Sequence, residues 1–368
     1  NDDTVRRVSV SRTLLSVLPV VLVLGCTSAT SPASTNSEDG GTRQPPDAAS
    51  LDAGPVVTRI LLPDGMPGIG FDDLRWAPSI HRILAPAGRT GNLDLVDPLT
   101  LSVDPIGGFS KSSTFTKGAH ASGCTSADEG GSALYAIDHE TTTVRVVDPK
   151  TRAITLSTTL AADPDYVRYV SGSQELWFTQ PLTGIEVLSV PAGGAPTHAA
   201  TIPVAGGPEA IVADEARGRV YTNSFGGKTY AVDIATRTVV ETWTNGCALS
   251  LGLALDESRG LLFVACAAGS IVVLDAAHGG TKTGELTQGA GLDILSYDPG
   301  LHHLYVQGAG SGDLGIVGIS PAGEPSLLGV VTTAASSTSA TDEAGHVFVG
   351  DPENGGLVRV RDTYPVTE

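Results

Sequence analysis

The chain has 368 residues with 45 Gly, 23 Pro, 17% charged and 5% aromatic residues, a composition that excludes wholesale disorder and suits a single all-β barrel or repeat domain. Its formal net charge is −18, so it offers no Lys/Arg stripe to nucleic-acid phosphates or to anionic lipid headgroups. A basic protein, a cation or a neutral ligand is the easier partner, and nucleic acid is not expected.

Arg6, Arg7 and Arg12 precede an apolar run from Leu14 to Gly25, "LLSVLPVVLVLG". It is too short to cross a hydrocarbon layer of roughly 30 Å at about 1.5 Å per helical residue, and it reads as the core of a signal peptide. The run ends in Val23-Leu24-Gly25-Cys26. This resembles the bacterial lipobox, in which a small residue precedes a cysteine that is diacylated and becomes the first residue; the resemblance implies a leader over 1–25 and a lipid on Cys26. Thr27 stands where an inner-membrane retention signal of such lipoproteins would have Asp, so the resemblance implies an outer-membrane anchor on the cell envelope. From Cys26 to residue 55 the chain is Ser, Thr, Ala, Pro, Gly and Asp without periodic apolar positions. Such a segment cannot bury enough surface to offset its ordering entropy, and a flexible linker is expected. Without residues 1–25, 19 basic residues stand against 38 acidic ones, a net charge of −19.

From Val56 onward short β-rich runs recur: "RILAPA" (82–87), "ALYAID" (133–138), "ELWFTQ" (175–180), "RVYTNS" (219–224), "LLFVAC" (261–266), "HLYVQG" (303–308) and "HVFVGD" (346–351). Their third positions, Leu84, Tyr135, Trp177, Tyr221, Phe263, Tyr305 and Phe348, lie 51, 42, 44, 42, 42 and 43 residues apart. A near-constant period with one insertion signals a repeat architecture. Turns with an acidic residue near the start precede most copies, as in "ADEGG", "ADEARG", "LDESRG", "YDPG" and "TDEAG"; Asp can cap its own turn, and Gly or Pro supplies the dihedrals. A third run follows ("NLDLVD", "TVRVVD", "KTYAVD", "SIVVLD", "LVRVRD"), with a fourth behind it. Four short strands per unit, with no amphipathic helix, make a propeller blade. The expected fold is all-β: a seven-bladed β-propeller of four-stranded antiparallel blades over 56–363, followed by a tail, 364–368. The seventh copy lacks an outermost strand, and the segment beginning at Val56 has the form of one. It is expected to complete the last blade and close the ring.

The stretch "RVYTNSFGGKTYAVDIATRTVVETW" above all resembles the YVTN-type repeat of bacterial extracytoplasmic seven-bladed propellers. The likeness spans 56–363, is strongest in blades four and five, and departs at the start of blade two, where "SKSSTFTKGAHASG" is inserted. It implies fold and cell location better than activity.

Cys247 and Cys266 fall on neighbouring antiparallel strands of blade five, so a disulfide fits an oxidising compartment, with two buried thiols as the alternative. Cys124 is left over and reads as a small buried hydrophobe.

No complete catalytic motif is present. "GSGDLG" (310–315) sits between strands with no helix after it, and nothing matches G-x-S-x-G, H-E-x-x-H or an EF-hand. One set stands out. Twelve residues before each aligned third position are Asp72, Gly123, Asp165, Glu209, Leu251, Asp293 and Ser336. Innermost strands line the channel, so the four carboxylates Asp72, Asp165, Glu209 and Asp293 should converge on one mouth, raising their pKa values or recruiting a cation such as Ca²⁺. Arg75 and Arg168, three residues further on in blades one and three, could neutralise them instead. Two function classes follow. The first is a non-catalytic binding scaffold, expected as a monomer, on the cell envelope for a protein, peptide or glycan. The second is a Ca²⁺-assisted hydrolase or lactonase centred on the channel mouth. The absence of a catalytic set favours the scaffold over an enzyme.

Overall fold

A computed structural model describes residues 55–368; the expected leader, Cys26 and all but the last residue of the linker lie outside the described residues. From Val56 the chain forms seven four-stranded antiparallel sheets. The innermost strands, blade one to blade seven, are Arg75–Ala77, Cys124–Gly130, Val167–Val170, Ile211–Asp214, Ser250–Asp256, Leu292–Asp298 and Ser339–Thr341. The fold is a seven-bladed β-propeller. The only helical elements among the described residues are two single 3₁₀ turns, His139–Thr141 and Ala276–His278.

Burial explains the strand pattern. Second strands such as Glu175–Gln180 and Leu261–Cys266 are buried at every residue, because each blade is sandwiched between two neighbours and both faces meet apolar surface. An outermost strand, Ala153–Thr159, alternates half-buried and exposed positions instead. Apolar clusters fill the seams; between blades five and six, Phe263, Ile271 and Val273 pack with Tyr297, Leu304 and Val306.

The ring closes as expected. Val56–Leu61 is the fourth strand of blade seven, antiparallel to Gly356–Arg361, with Val56 opposite Arg361 and Leu61 opposite Gly356. Ile60 and Leu62 then join Leu357, Ile83 and Val96 in the seam between blades seven and one. Asp94, on the third strand of blade one, is fully buried and has no hydrogen-bond partner on either carboxylate oxygen. Its strand neighbours Leu93 and Leu95 face blade two, so Asp94 shares the opposite face with Val96. Burial, with a smaller contribution from the Asp64 carboxylate, pushes its pKa from 3.8 up to about 7.

Cys247 and Cys266 form a disulfide with Cα atoms 5.3 Å apart. Cys247 lies in the loop ahead of Ser250–Asp256, and Cys266 pairs in register with Ser250, so the bond ties a loop to a strand end. Cys124 is buried, its thiol pushed up by burial and by Asp138, Asp94 and Asp73. The tail docks on blade six, where Thr367 N donates to Leu301 O at 3.0 Å.

Two outcomes are expected. A chain beginning at Pro63 lacks the closing strand and should lose cooperative thermal unfolding, measured by calorimetry against the full chain. The Asp94 carboxyl binds its proton more tightly folded than unfolded, so its stabilising contribution is complete below about pH 4, falls as pH rises, and is lost above about pH 7. Asp94→Asn should therefore raise the melting temperature at pH 8, by the equivalent of a few kcal/mol, and flatten the decline across that window.

Candidate functional site

Each innermost strand begins at one face of the disc and hairpins back at the other. The face where these strands begin is the loop face; the face carrying their turns is the hairpin face. The two mouths of the channel differ in kind.

At the loop face, the insertion of blade two lies against the channel mouth. It is anchored at both flanks: Lys111 pairs with Asp64 at 3.7 Å, and Lys117 with Glu353 of blade seven. Close backbone approach fixes its path, since a Cβ on Gly70 would stand 1.8 Å from Ala119 O, and Gly123 has φ +65° with a Cβ position 2.2 Å from Gly88 O; only glycine tolerates both. The path brings His120 Nδ1 to 2.7 Å from Asp72 Oδ1. Asp72 raises the His120 pKa most, through charge and through this hydrogen bond, and Asp165 and Asp293 add to it; the ring is pushed up to about 10. Two-fifths of the side chain stays in solvent, which screens part of that attraction. Burial most of all, then Asp293, Asp72, Asp165 and Glu209, hold the Tyr166 hydroxyl well above its ordinary range.

The expected acidic set is thus gathered at one mouth, and its internal counter-charge is an imidazolium. Among the described residues, no three His, Cys, Asp or Glu form a group that could hold a metal ion, and Asp72 is already engaged by His120.

Arg75 and Arg168 do not pair with this set. Arg168 Nη1 reaches Asp73 Oδ2 at 2.8 Å and Nη2 reaches Asp73 Oδ1 at 3.3 Å, with both side chains buried. Asp73 also accepts from Ser126 Oγ at 2.7 Å, so one carboxylate of blade one clamps blades two and three across the neck of the channel. Arg75 Nε reaches Asp128 Oδ1 at 3.3 Å, while Asp128 Oδ2 accepts from Tyr169 N at 2.9 Å. Reading aligned positions missed Asp73, Asp128 and His120. Asp73 is one residue off the aligned register, Asp128 lies inside its strand five residues beyond that register, and His120 belongs to the one segment without a counterpart in other blades.

At the hairpin face the channel widens into a cavity of about 880 Å³. Blades one to three contribute Arg75, Trp76, Asp128, Arg168 and Tyr169; blades four to six contribute Val212, Ala254 and Ile294. None of the four expected carboxylates lines it. Its rim carries glutamates from the acidic turns. Glu129 of blade two accepts from Ser79 N at 3.1 Å and Ser79 Oγ at 2.6 Å, on blade one. Glu215 of blade four accepts from Ser171 N, Ser171 Oγ and Gly172 N of blade three at 2.6, 2.7 and 2.8 Å. Glu257 of blade five accepts from Ala216 N of blade four at 2.8 Å. Each glutamate grips the preceding blade's turn, which holds the rim in one conformation.

A chain of hydrogen bonds with the connectivity of a nucleophile, base and acid does occur: Thr367 Oγ1 to His303 Nε2 at 3.1 Å, and His303 Nδ1 to Asp362 Oδ2 at 2.7 Å. His303 is wholly buried, and none of the three lines the cavity. The arrangement holds the tail to blade six.

No family model matches the sequence, nor does any curated protein. Solved structures do resemble it in fold. A chain of a mitotic checkpoint complex superposes with a TM-score of 0.68 at 13% identity, over 90% of this chain and 99% of that one. Hydrazine synthase of Kuenenia stuttgartiensis gives 0.64 at 13% identity, over 80% and 96%. The β-propeller domain of Cps50 (Swd1) from Myceliophteria thermophila gives 0.66 at 12% identity, over 83% and 98%. Likeness at such identities shows the propeller alone.

Breaking the neck clamp should be costly. Arg168→Met leaves Asp73 buried without its guanidinium, and a loss of about 3–5 kcal/mol is expected in denaturant unfolding, whereas the double variant Arg168→Met, Asp73→Leu should recover most of it. The raised His120 pKa implies that the cap is fully held below about pH 6.5 and released as pH rises through about 10; NMR should show His120 still protonated at pH 8, and His120→Gln should speed amide exchange across residues 110–123.

Proposed function

We propose that this chain is a non-catalytic binding scaffold of the bacterial cell envelope, a propeller of the YVTN-repeat type anchored through a lipid on Cys26, whose ligand docks in the hairpin-face cavity. The cavity carries the reading: it is the concave, mixed polar and apolar surface expected of a binding site, and the glutamate latches around it keep it preformed. The occupant we favour is a protein or peptide segment rather than a glycan, because one rim joins several blades into a surface of the breadth used in protein recognition. Among the similar folds, one is a component of a mitotic checkpoint complex.

The apolar run ending at Cys26, the polar segment after it and the Cys247–Cys266 disulfide all suit an exported, lipid-tethered protein. Among the described residues no three His, Cys, Asp or Glu form a group that could hold a metal ion, and no observation favours the hydrolase reading.

Two measurements test the proposal. Cys26→Ser should abolish incorporation of labelled fatty acid and move the protein from the membrane to the soluble envelope fraction; unchanged partitioning would overturn the anchor. A photo-crosslinking residue at Ser339, in the cavity, should give a discrete envelope adduct that the same residue at Lys150, at the outer edge of blade two, does not. Equal or absent adducts at both positions would remove the cavity as the docking site.

A further inference from the structure

The floor and the rim of the hairpin-face cavity carry complementary unused groups. On the floor, Arg168 has only 7% of its side chain exposed, lines the cavity, and has an Nε with no hydrogen-bond partner. Arg75, at the same register two blades away, is 42% exposed; it uses Nε on Asp128, and neither of its Nη groups has a hydrogen-bond partner among the described residues. Both guanidinium charges are already balanced, by Asp73 and Asp128. The Arg168 Nε is closed off from the cavity, whereas the Nη groups of the part-exposed Arg75 suit a neutral acceptor, a carbonyl oxygen, better than a second carboxylate.

The rim has the opposite character. Glu129, Glu215 and Glu257 are held in place by the turns they grip. Glu343 of blade seven also lines the cavity, and its carboxylate makes no such latch. Burial raises the Glu343 pKa most, followed by Asp298; Arg75 lowers it, and Asp342 raises it by less. Arg217 and Arg259, on the corresponding turns of blades four and five, are paired with their own Asp214 and Asp256. Trp76 and Tyr169, both half-buried, add aromatic faces to the same wall. Carboxylates beside aromatic rings form the usual environment for an organic cation.

Resting on the reading of the cavity as a protein-docking site, we infer that its occupant is an extended peptide segment bearing a lysine or arginine, a backbone carbonyl on the Arg75 donors and its cationic side chain among the rim glutamates. A carbonyl acceptor and a cation occur together along any basic stretch of polypeptide. A polyamine has only the cation, and an acidic segment would face the rim with like charge.

Calorimetric titration of the full chain with four probes tests this: acetyl-Gly-Lys-Gly-Lys-Gly-amide, the same peptide with Gln for Lys, the same with Glu, and spermidine. The lysine peptide should bind at least about tenfold more tightly than its Gln counterpart and than spermidine, with no heat from the Glu peptide. Glu343→Gln should weaken the lysine peptide about three- to tenfold, leave the Gln peptide unchanged, and leave the melting temperature unaltered. Equal binding of the Lys, Gln and Glu peptides, or an unaffected Glu343→Gln variant, would overturn the cation specificity while the docking cavity stood. Tighter binding of spermidine would overturn the peptide. Silence from all four probes overturns this inference; the docking reading falls with it only where the Ser339 crosslinker is silent as well.

Discussion

Everything in this molecule depends on the six residue pairs that join Val56–Leu61 to Gly356–Arg361. A propeller has no central core; its apolar surface lies in seams between blades, and every seam needs a blade on each side. Without the closing strand, blade seven would expose an unpaired edge and the seam to blade one would lose Ile60 and Leu62. The ring would then be a stack with two ends, and edges of that kind invite pairing with other chains. The same seam holds the unpartnered Asp94, so the contact on which closure rests also contains a buried acid in an apolar setting, and the two effects oppose each other.

The channel shows how a symmetric frame acquires two dissimilar ends. Seven similar strands deliver seven similar positions to each mouth, and what differs is local. At the loop face, one insertion brings an imidazolium to a cluster of carboxylates. At the hairpin face, turns whose glutamates bond to the neighbouring blade leave the mouth open and its shape held. Between them, Asp73 and Arg168 bridge the neck, taking two charges out of water in a geometry that satisfies most of their donors and acceptors.

The blade number, the closing strand and the convergence of Asp72, Asp165, Glu209 and Asp293 toward one mouth could all be read from residue spacing, because a repeat turns a one-dimensional period into a rotation about an axis. What could not be read were contacts that break the repeat. His120 lies in a segment with no equivalent elsewhere, so no alignment of blades could place it. Asp73 and Asp128 make their bonds to other blades, and a register built from one blade cannot express a bond two blades away. The arginines illustrate the same point: Arg75 and Arg168 were found by register, yet their partners lie outside the aligned set. Cys247 and Cys266 were adjacent enough in a single blade to be read from hairpin geometry, although the bond leaves from a loop rather than from the strand itself.

Val56 stands opposite Arg361 where blade seven turns at the hairpin face, and Thr367 is bonded to Leu301 and His302 in the hairpin of blade six. The closing strand therefore starts, and the tail docks, on the side where the wide mouth opens. A label placed at Val56 or at Thr367 would therefore report from the hairpin face, and one placed in the insertion of blade two from the opposite face.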